Sequence, residues 1–550
     1  MTQQARSYPL PLAPNQLGEL APCAHAGCPL GVDVPAVVRA LRDSDHSRAY
    51  RVARSVNPFA SSCGHGCHAP CETACRRRRS GAPVGIAGLE AYAAGYSTPT
   101  DVSSPEPCTS VHDRRSVMGL ARQIAGQPTV REQRVAIVGG GAAGLACAHD
   151  LSLLGYASTV FDAAAEPGGL LTHGLPTFRF PVAAARAECE AILTGAVTYR
   201  GGQRVDTRED LRALLDNGFA AVFLAVGAPA PRFRMVGDSH QEGVVDAMSL
   251  LKHELTPVAR VVVLGDGDLA VDAARVALAQ GRQLVDSTAH VDLVLPGPLE
   301  ESTAASLLLA AALQDGVTLH DGWTPVRVVR RADGSARGLE ITRDSGRSTR
   351  LLVADRIVTA PPRMPDVSHM GDDLQRDGNG FIAVDPDTLQ TSVPDVWAGG
   401  ACAFGHRSIA HAVADGKRAA WQMHAAFSRR RLGVRLTMEW VEAEMPEASP
   451  IKPRSTAFES PRQLPLDAPP PADPFSSQSL RSSEQIFDEA SRCYDCTVIA
   501  HVDSDCTRCR KCIPACPEGA ISLGVDVAEV DGDACTRCGL CVDSCPEGAI

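Results

Sequence analysis

Several features are missing from this chain of 550 residues, and each absence removes a class of explanation. No run of about 18 apolar residues occurs, so no membrane span is expected. The opening MTQQARSYPLPLAPNQ lacks a basic segment followed by an apolar one, so no secretory leader is expected either. There is no surplus of positive charge. The net charge is -11, which argues against nonspecific nucleic-acid binding. Two short basic runs are local exceptions. Arg76–Arg79 reads as a solvated helix end or a docking patch for an acidic partner, and Arg429–Arg431 as a helix C-terminus. No Ser/His/Asp or paired-carboxylate arrangement demands a further reaction, so no side chain is assigned as catalytic. With 44% hydrophobic and 21% charged residues, this is ordinary globular material with room for three or four domains.

Cysteine, by contrast, is plentiful. In a long chain without an export signal, twenty closely spaced cysteines mean metal rather than disulfides, and the expected setting is the cytoplasm. Cys63-x3-Cys67-x3-Cys71-x3-Cys75 places four thiolates within 13 residues. Zinc favours paired C-x2-C knuckles, so the unbroken x3 spacing points to one 4Fe–4S cluster. Cys23 and Cys28 stand upstream as a pair that cannot hold a cubane alone. At the other end, Cys506-x2-Cys509-x2-Cys512-x3-Cys516 and Cys535-x2-Cys538-x2-Cys541-x3-Cys545 form a duplicated motif, each run ending in Pro. This is the bacterial two-cluster ferredoxin pattern, in which the fourth cysteine of each run serves the other cluster. Cys506, Cys509, Cys512 and Cys545 are expected to hold one cubane, and Cys535, Cys538, Cys541 and Cys516 the other.

Between these ends, Gln133–Asp162 reads as strand, glycine turn, helix, strand. Val135–Val138 enters Gly139-x-Gly141-x-x-Gly144, and Thr159–Phe161 ends at Asp162. The glycines allow a tight turn and close approach of a pyrophosphate to a helix N-terminus, and an acid about 20 residues on suits a ribose hydroxyl. The loop from Gly168, Gly169 and Leu170 through Arg179 to Pro181 is placed to close over a flat ring, with His173 in the same region. Ala220–Val226 is a buried strand running into Gly227. A second signature, Gly265-x-Gly267-x-x-Ala270, follows the strand from Arg260. Two nucleotide folds suggest one dinucleotide held as a prosthetic flavin and one mobile nicotinamide. The alternative is a decayed repeat that keeps the fold without the ligand. After the strand Val291–Leu295 comes PGPLEEST, with no Arg or Lys to pair a 2′-phosphate and with Glu300 and Glu301 to repel one, which favours NADH over NADPH. Residues 318–350 alternate as β-hairpin material. Thr391–Gly400 reads as a strand into a Gly-Gly turn before a helix from Ile409, whose N-terminus is suited to a flavin.

These residues resemble the small subunit of bacterial glutamate synthase and the N-terminal half of dihydropyrimidine dehydrogenase, over most of residues 20–430. The carriers are Cys-Gly-x2-Cys-x2-Pro-Cys-Glu-x2-Cys at Cys63–Cys75, Gly139–Gly144, Gly168 through Pro181, Gly265–Ala270 with Asp272, and Thr391–Gly400. The resemblance implies FAD in the first nucleotide fold and NAD(P)H in the second. Four departures stand out. Ala401 replaces the acid after Gly400; Asp268 replaces an Asn; Pro296-Gly297-Pro298 replaces a pair of arginines; and a C-x2-C before Cys23 is absent. A C-x2-C of the missing kind occurs instead at Cys493 and Cys496, so Cys23, Cys28, Cys493 and Cys496 are expected to share one cluster that ties the chain ends. The bland alternative is a labile or lost cluster.

The expected fold is multi-domain α/β. Residues 1–130 are a helical iron–sulfur domain with connector, 131–245 and 365–430 an FAD domain, and 246–364 an NAD(P) domain inserted into it. Residues 431–485 are a Pro-rich linker and 486–550 an α+β ferredoxin domain. Both central domains are Rossmann-like. The expected function is electron transfer between NAD(P)H, FAD and four 4Fe–4S clusters, to or from a partner enzyme or ferredoxin. The alternative is a non-enzymatic relay subunit whose second nucleotide site is empty.

Overall fold

The computed structural model describes residues 23–79, 82–95, 131–177, 180–193, 195–232, 236, 243–252, 254–285, 287–304, 306–343, 346–432, 482–493, 502–516, 518–531, 535, 541 and 544–550. Near the N-terminus, Asp33 caps α1 (Val34–Arg42) by accepting from the Ala36 amide at 3.0 Å. Val34, Val37, Val38 and Leu41 recur at helical spacing and are buried. Asp45 caps α2 (His46–Val56) in the same way through Arg48. The short helices α3 (Ala60–Gly66) and α4 (Pro70–Thr73) follow, with Pro70 opening the latter, and α5 (Ile86–Ala94) completes the layer.

The central part runs β1 (Arg134–Val138), α6 (Ala142–Leu153), β2 (Ala157–Phe161), α7 (Val182–Ile192), β3 (Val197–Arg200), β4 (Phe219–Leu224) and β5 (Ala230–Pro231). It continues through β6 (Val244–Asp246), β7 (Arg260–Leu264), α8 (Asp268–Leu284), β8 (His290–Leu295) and β9 (Thr318–Asp321). Then come β10 (Thr324–Arg330), β11 (Ala336–Arg343), β12 (Ser348–Val353), β13 (Arg356–Thr359), β14 (Arg363–Met364), β15 (Val396–Ala398) and α9 (Ile409–Leu432).

Two five-stranded parallel sheets result, ordered β15-β4-β1-β2-β3 and β6-β13-β7-β8-β9. The chain leaves the first sheet after β4, builds the second, and returns as β15 beside β4, so one Rossmann-like unit is inserted in the other. The two crossings pair antiparallel as β5 and β14. Because β6 pairs with β13, the second unit begins about where residue 245 was expected to end the first, and the boundary falls inside a strand. An antiparallel sheet β10-β11-β12 lays Leu339, Ile341 and Leu352 over Val262, Leu264 and Val294 of the second sheet.

One hydrophobic core runs from Cys23 to Ala490 and joins the helical layer to the first sheet. Within it α6 packs on α9, fixed by a buried ion pair between Lys417 Nζ and Asp150 Oδ1 at 2.8 Å, with Trp421 Nε1 donating to Asp150 Oδ2 at 3.3 Å. The C-terminal helix α10 (Ser483–Ser491) docks on the N-terminal layer. The Gly85 amide donates to Glu489 Oε1 at 2.7 Å, and Arg492 donates to the carbonyls of Ala82 and Pro83. Beyond it, α11 (Cys512–Ala515) and the antiparallel pair β16 (Ile521–Leu523) and β17 (Ala528–Val530) surround a small separate core. Among the described residues no helix is long and apolar enough to cross a membrane.

Candidate functional site

The first nucleotide turn is shaped by backbone crowding. Gly139 has φ +107, and a Cβ there would lie 2.2 Å from the Ala225 carbonyl oxygen, so only glycine fits. Gly141 caps α6 and Gly144 lies in its first turn. Asp162, at the end of β2, accepts from the Gly140 amide and, at 2.7 Å, from the Ala164 amide. The Gly168 amide donates to the Gly140 carbonyl at 2.8 Å, which brings the Gly168–Gly169 loop onto the glycine turn, with Leu170 exposed beside it. Gly227 follows β4 with open space on its side-chain face. Ala401 opens a short helix, Ala401–Phe404. Arg179 lies outside the described residues.

Ala401 offers no acid, but a neighbouring one was missed by sequence reasoning. Asp415, fully buried on α9, accepts from the Gly400 amide at 3.0 Å and from Arg407. Burial pushes its carboxyl up and Arg407 pulls it back down. Its Oδ1 has no hydrogen-bond partner. Helix spacing alone does not mark it, because residues 413–417 are all buried and no periodic face singles it out.

The second turn leads from β7 through Gly265 into Gly267, which caps α8, and Ala270 is buried in the first turn of that helix. The loop after β8 folds back over this turn. Ser302 Oγ donates to the Asp266 carbonyl at 2.9 Å, and the amides of Thr303 and Ala304 donate to the same oxygen at 3.1 and 3.0 Å. Glu300 and Glu301 are exposed on that loop.

Two sets of thiols surround voids. The first void is lined by Cys28, Cys63, Cys67 and Cys71, with Asn57, Glu90 and Ala410. Spacing grouped Cys63, Cys67, Cys71 and Cys75, and three of these four line this void. Cys28 joins the void, and Cys75 is not among its lining residues. The reason is the sharp turn after Cys67. Pro70 starts α4, and the segment at Gly27 packs directly on it, so that a Cβ at Gly27 would lie 2.6 Å from Cys71 Cα. Contact between segments so far apart in sequence is invisible to local spacing. Burial, followed by the charge of Glu90, pushes the Cys28 thiol up to about 12, and burial also raises Cys63, Cys67 and Cys71. Burial, followed by Glu72, pushes Glu90 up to about 8. Buried thiols around one void favour their charged form only beside a cation, so the donor set suits an iron–sulfur cluster. Cys23 is buried and Cys75 and Cys493 half-buried in the same core, while Cys496 lies outside the described residues.

The second void is lined by Cys506, Cys509, Cys512 and Cys545, the set expected for one ferredoxin-type cubane. The duplication is visible in hydrogen bonding. The Ala520 amide donates to Cys516 Sγ at 3.2 Å, and the Ala549 amide to Cys545 Sγ at 3.3 Å. Cys535 and Cys541 are half-buried and buried respectively, and Cys538 lies outside the described residues. Among the described residues no three His, Cys, Asp or Glu converge tightly enough for a lone metal ion.

Contacts among the described residues join these parts. On α7, Glu188 accepts from the amides of Ser61 and Ser62 at 2.7 and 3.1 Å, capping α3 from another domain. A Cβ at Gly66 would lie 2.7 Å from Ile409 Cδ1, so α3 presses on the start of α9. His68 Nε2 lies 2.6 Å from Asp268 Oδ2.

With that geometry established, comparison with known proteins gives three family matches. The pyridine nucleotide-disulphide oxidoreductase model matches residues 133–416. The dihydropyrimidine dehydrogenase domain II, 4Fe-4S cluster, model matches residues 19–102, and the 4Fe-4S dicluster domain matches residues 505–550. The chain is 31% identical to an NADP(+)-dependent formate dehydrogenase subunit beta of Moorella thermoacetica, covering 73% of this chain but 59% of that relative's length. It is 28% identical to an NAD-dependent dihydropyrimidine dehydrogenase subunit PreT of Escherichia coli O157:H7, covering 74% of this chain and 90% of that one. Among solved structures, a thioredoxin reductase of T. acidophilum superposes with TM-score 0.45 and 20% identity, over 54% of this chain and 99% of that one.

Proposed function

The chain belongs to the pyridine nucleotide-disulphide oxidoreductase family, and on that premise we propose that it is an electron-transfer subunit of a larger redox complex. It moves electrons between a nicotinamide dinucleotide, FAD and 4Fe–4S clusters, to or from a partner enzyme or ferredoxin. Bound FAD would supply exchange between two-electron hydride chemistry and one-electron chemistry, which suits 4Fe–4S clusters. The chain's own residues supply the seats. Gly139–Gly144 and Asp162 would hold the flavin nucleotide, with the Gly168–Gly169 loop over it. Gly265–Ala270 would hold the nicotinamide nucleotide.

The observation that carries this reading is the start of α9. Ile409 touches α3 and Ala410 lines the first thiol void, while Gly416 of the same helix packs on the Ala143 carbonyl and Asp415 holds the Gly400 amide, beside Ala143. The first two turns of one helix thus touch both the proposed flavin seat and the thiol void, which supports electron passage between them.

Finer assignments rest on the same residues. We infer NADH rather than NADPH from Glu300 and Glu301 and from the lack of Lys or Arg between 296 and 304. The names of the two relatives divide between the two nucleotides, so they do not decide it. The docking of α10 on the N-terminal layer supports a cluster shared by Cys23 and Cys75 with Cys493 and Cys496, giving four clusters in all. A cytoplasmic setting fits this thiol content.

A second reading, a relay subunit with no nicotinamide bound, is favoured by the acid at Asp268 and by the closure of residues 302–304 over Asp266. Anaerobic titration of the holoprotein with NADH and with NADPH separates the two. The first reading expects the flavin band to bleach with NADH at concentrations where NADPH acts weakly. No bleaching with either nucleotide would leave only the relay.

A further inference from the structure

His68 lies between Cys67 and Cys71, where the chain turns from α3 into α4, and no motif accounts for it. Its Nε2 reaches Asp268 Oδ2 at 2.6 Å across 200 residues of sequence. Asp268 is the first residue of α8, directly after Gly267, and therefore stands at the helix N-terminus that a dinucleotide phosphate seeks. A carboxylate turned toward that place competes with the phosphate for amide donors and repels its charge. The other side of the turn is already closed, because Ser302, Thr303 and Ala304 all donate to the Asp266 carbonyl.

We propose that His68 is a positioning residue for the second nucleotide site. Its ring N–H engages the Asp268 carboxylate and holds it against the thiol-bearing loop, so that a glycine turn carrying an acid still admits a dinucleotide. The inference deepens the reading above and rests on it. The bond needs only a proton on Nε2, so it operates whether the ring is neutral or charged. It also makes assembly of the first thiol loop a condition for a competent nucleotide turn.

The test is a double-mutant cycle on the holoprotein, read by equilibrium binding of tetrahydro-NADH, a dinucleotide that cannot give up hydride. Flavin and iron contents are measured on every variant. His68→Ala is expected to weaken binding about threefold, the scale of one solvent-exposed pair. Asp268→Asn, which lies outside the thiol loop, is expected to bind at least as tightly as the unaltered chain. The His68→Ala/Asp268→Asn pair is expected to recover the unaltered affinity. A loss that Asp268→Asn does not rescue would show that His68 acts by shaping the thiol loop, and would overturn the proposal. So would unchanged binding in His68→Ala, or weakened binding in Asp268→Asn alone. If the unaltered chain binds no tetrahydro-NADH, the nicotinamide reading falls and the proposal with it; failure of the proposal alone leaves that binding intact.

Discussion

The two thiol voids are built in opposite ways. The C-terminal one draws every described lining residue from 506–550 and sits on a core of its own around Val502, Ile521 and Ala528. The N-terminal one is assembled from Cys28, the 57–71 stretch, Glu90 and Ala410, inside a core that extends to Ala490. A locally encoded cage is a detachable module. A cage gathered from distant segments depends on the whole flavin unit and on the helix near the far end of the chain.

Truncation should break this comparison most sharply. Counting four irons per cubane, the full chain should carry about sixteen irons. A chain ending at residue 500 keeps α10, Cys493 and Cys496 and should carry about eight, whereas a chain ending at residue 480 should fall to about four. Equal iron in the two truncations would show that Cys493 and Cys496 hold no cluster with the N-terminal cysteines.

Next in size is the buried Glu489–Arg492 pair, at 2.6 Å with both side chains 1% exposed. Glu489→Ala leaves Arg492 buried without its carboxylate and should cost about 3–5 kcal/mol. Limited proteolysis should then cut near residues 482–493 while the C-terminal module keeps its iron. Protection equal to that of the unaltered chain would contradict the tie.

Glu188 lies on the other side of the cage. Glu188→Ala strips the acceptor from two buried amides and the Ser62 hydroxyl, and should cost about 1–3 kcal/mol. Denaturant unfolding should show the loss in the shared core only.

This pattern explains how much could be read from sequence. Both glycine turns were legible because their residues lie close together in the chain, the inserted second unit followed from the resemblance, and the structure brings Cys506, Cys509, Cys512 and Cys545, which the duplicated motif grouped, around one void. The placement of Cys28, Glu90, Asp415 and Glu188 was not. Each acts across a fold contact, and its residue type at its position carries no periodic signal. The Cys63–Cys75 run suggests one wrapped cluster by its even spacing, whereas the turn at Pro70 sets Cys28 beside Cys63, Cys67 and Cys71 around one void.

The smallest effect concerns pH. Burial, with Arg131 nearby, pushes His424 down to about 4, and its Nδ1 lies 2.9 Å from the Tyr156 hydroxyl in the shared core. Its folded pKa is below the unfolded value of about 6.5, so the unfolded chain binds more protons between those values. The stability it allows is complete above about 6.5 and declines as pH falls toward 4. Discounted for its partial exposure, the loss should be roughly 1–2 kcal/mol. His424→Gln should flatten this slope in the shared core and leave the C-terminal module unchanged.

The central claim is that a nicotinamide donor reaches both kinds of cage through the flavin seat. Anaerobic NADH is mixed with the full chain and with the chain ending at residue 500, and reduced clusters are counted by electron paramagnetic resonance. The account expects cluster signals in both, with the ferredoxin-type signals confined to the full chain. Flavin bleaching without any cluster signal would contradict it.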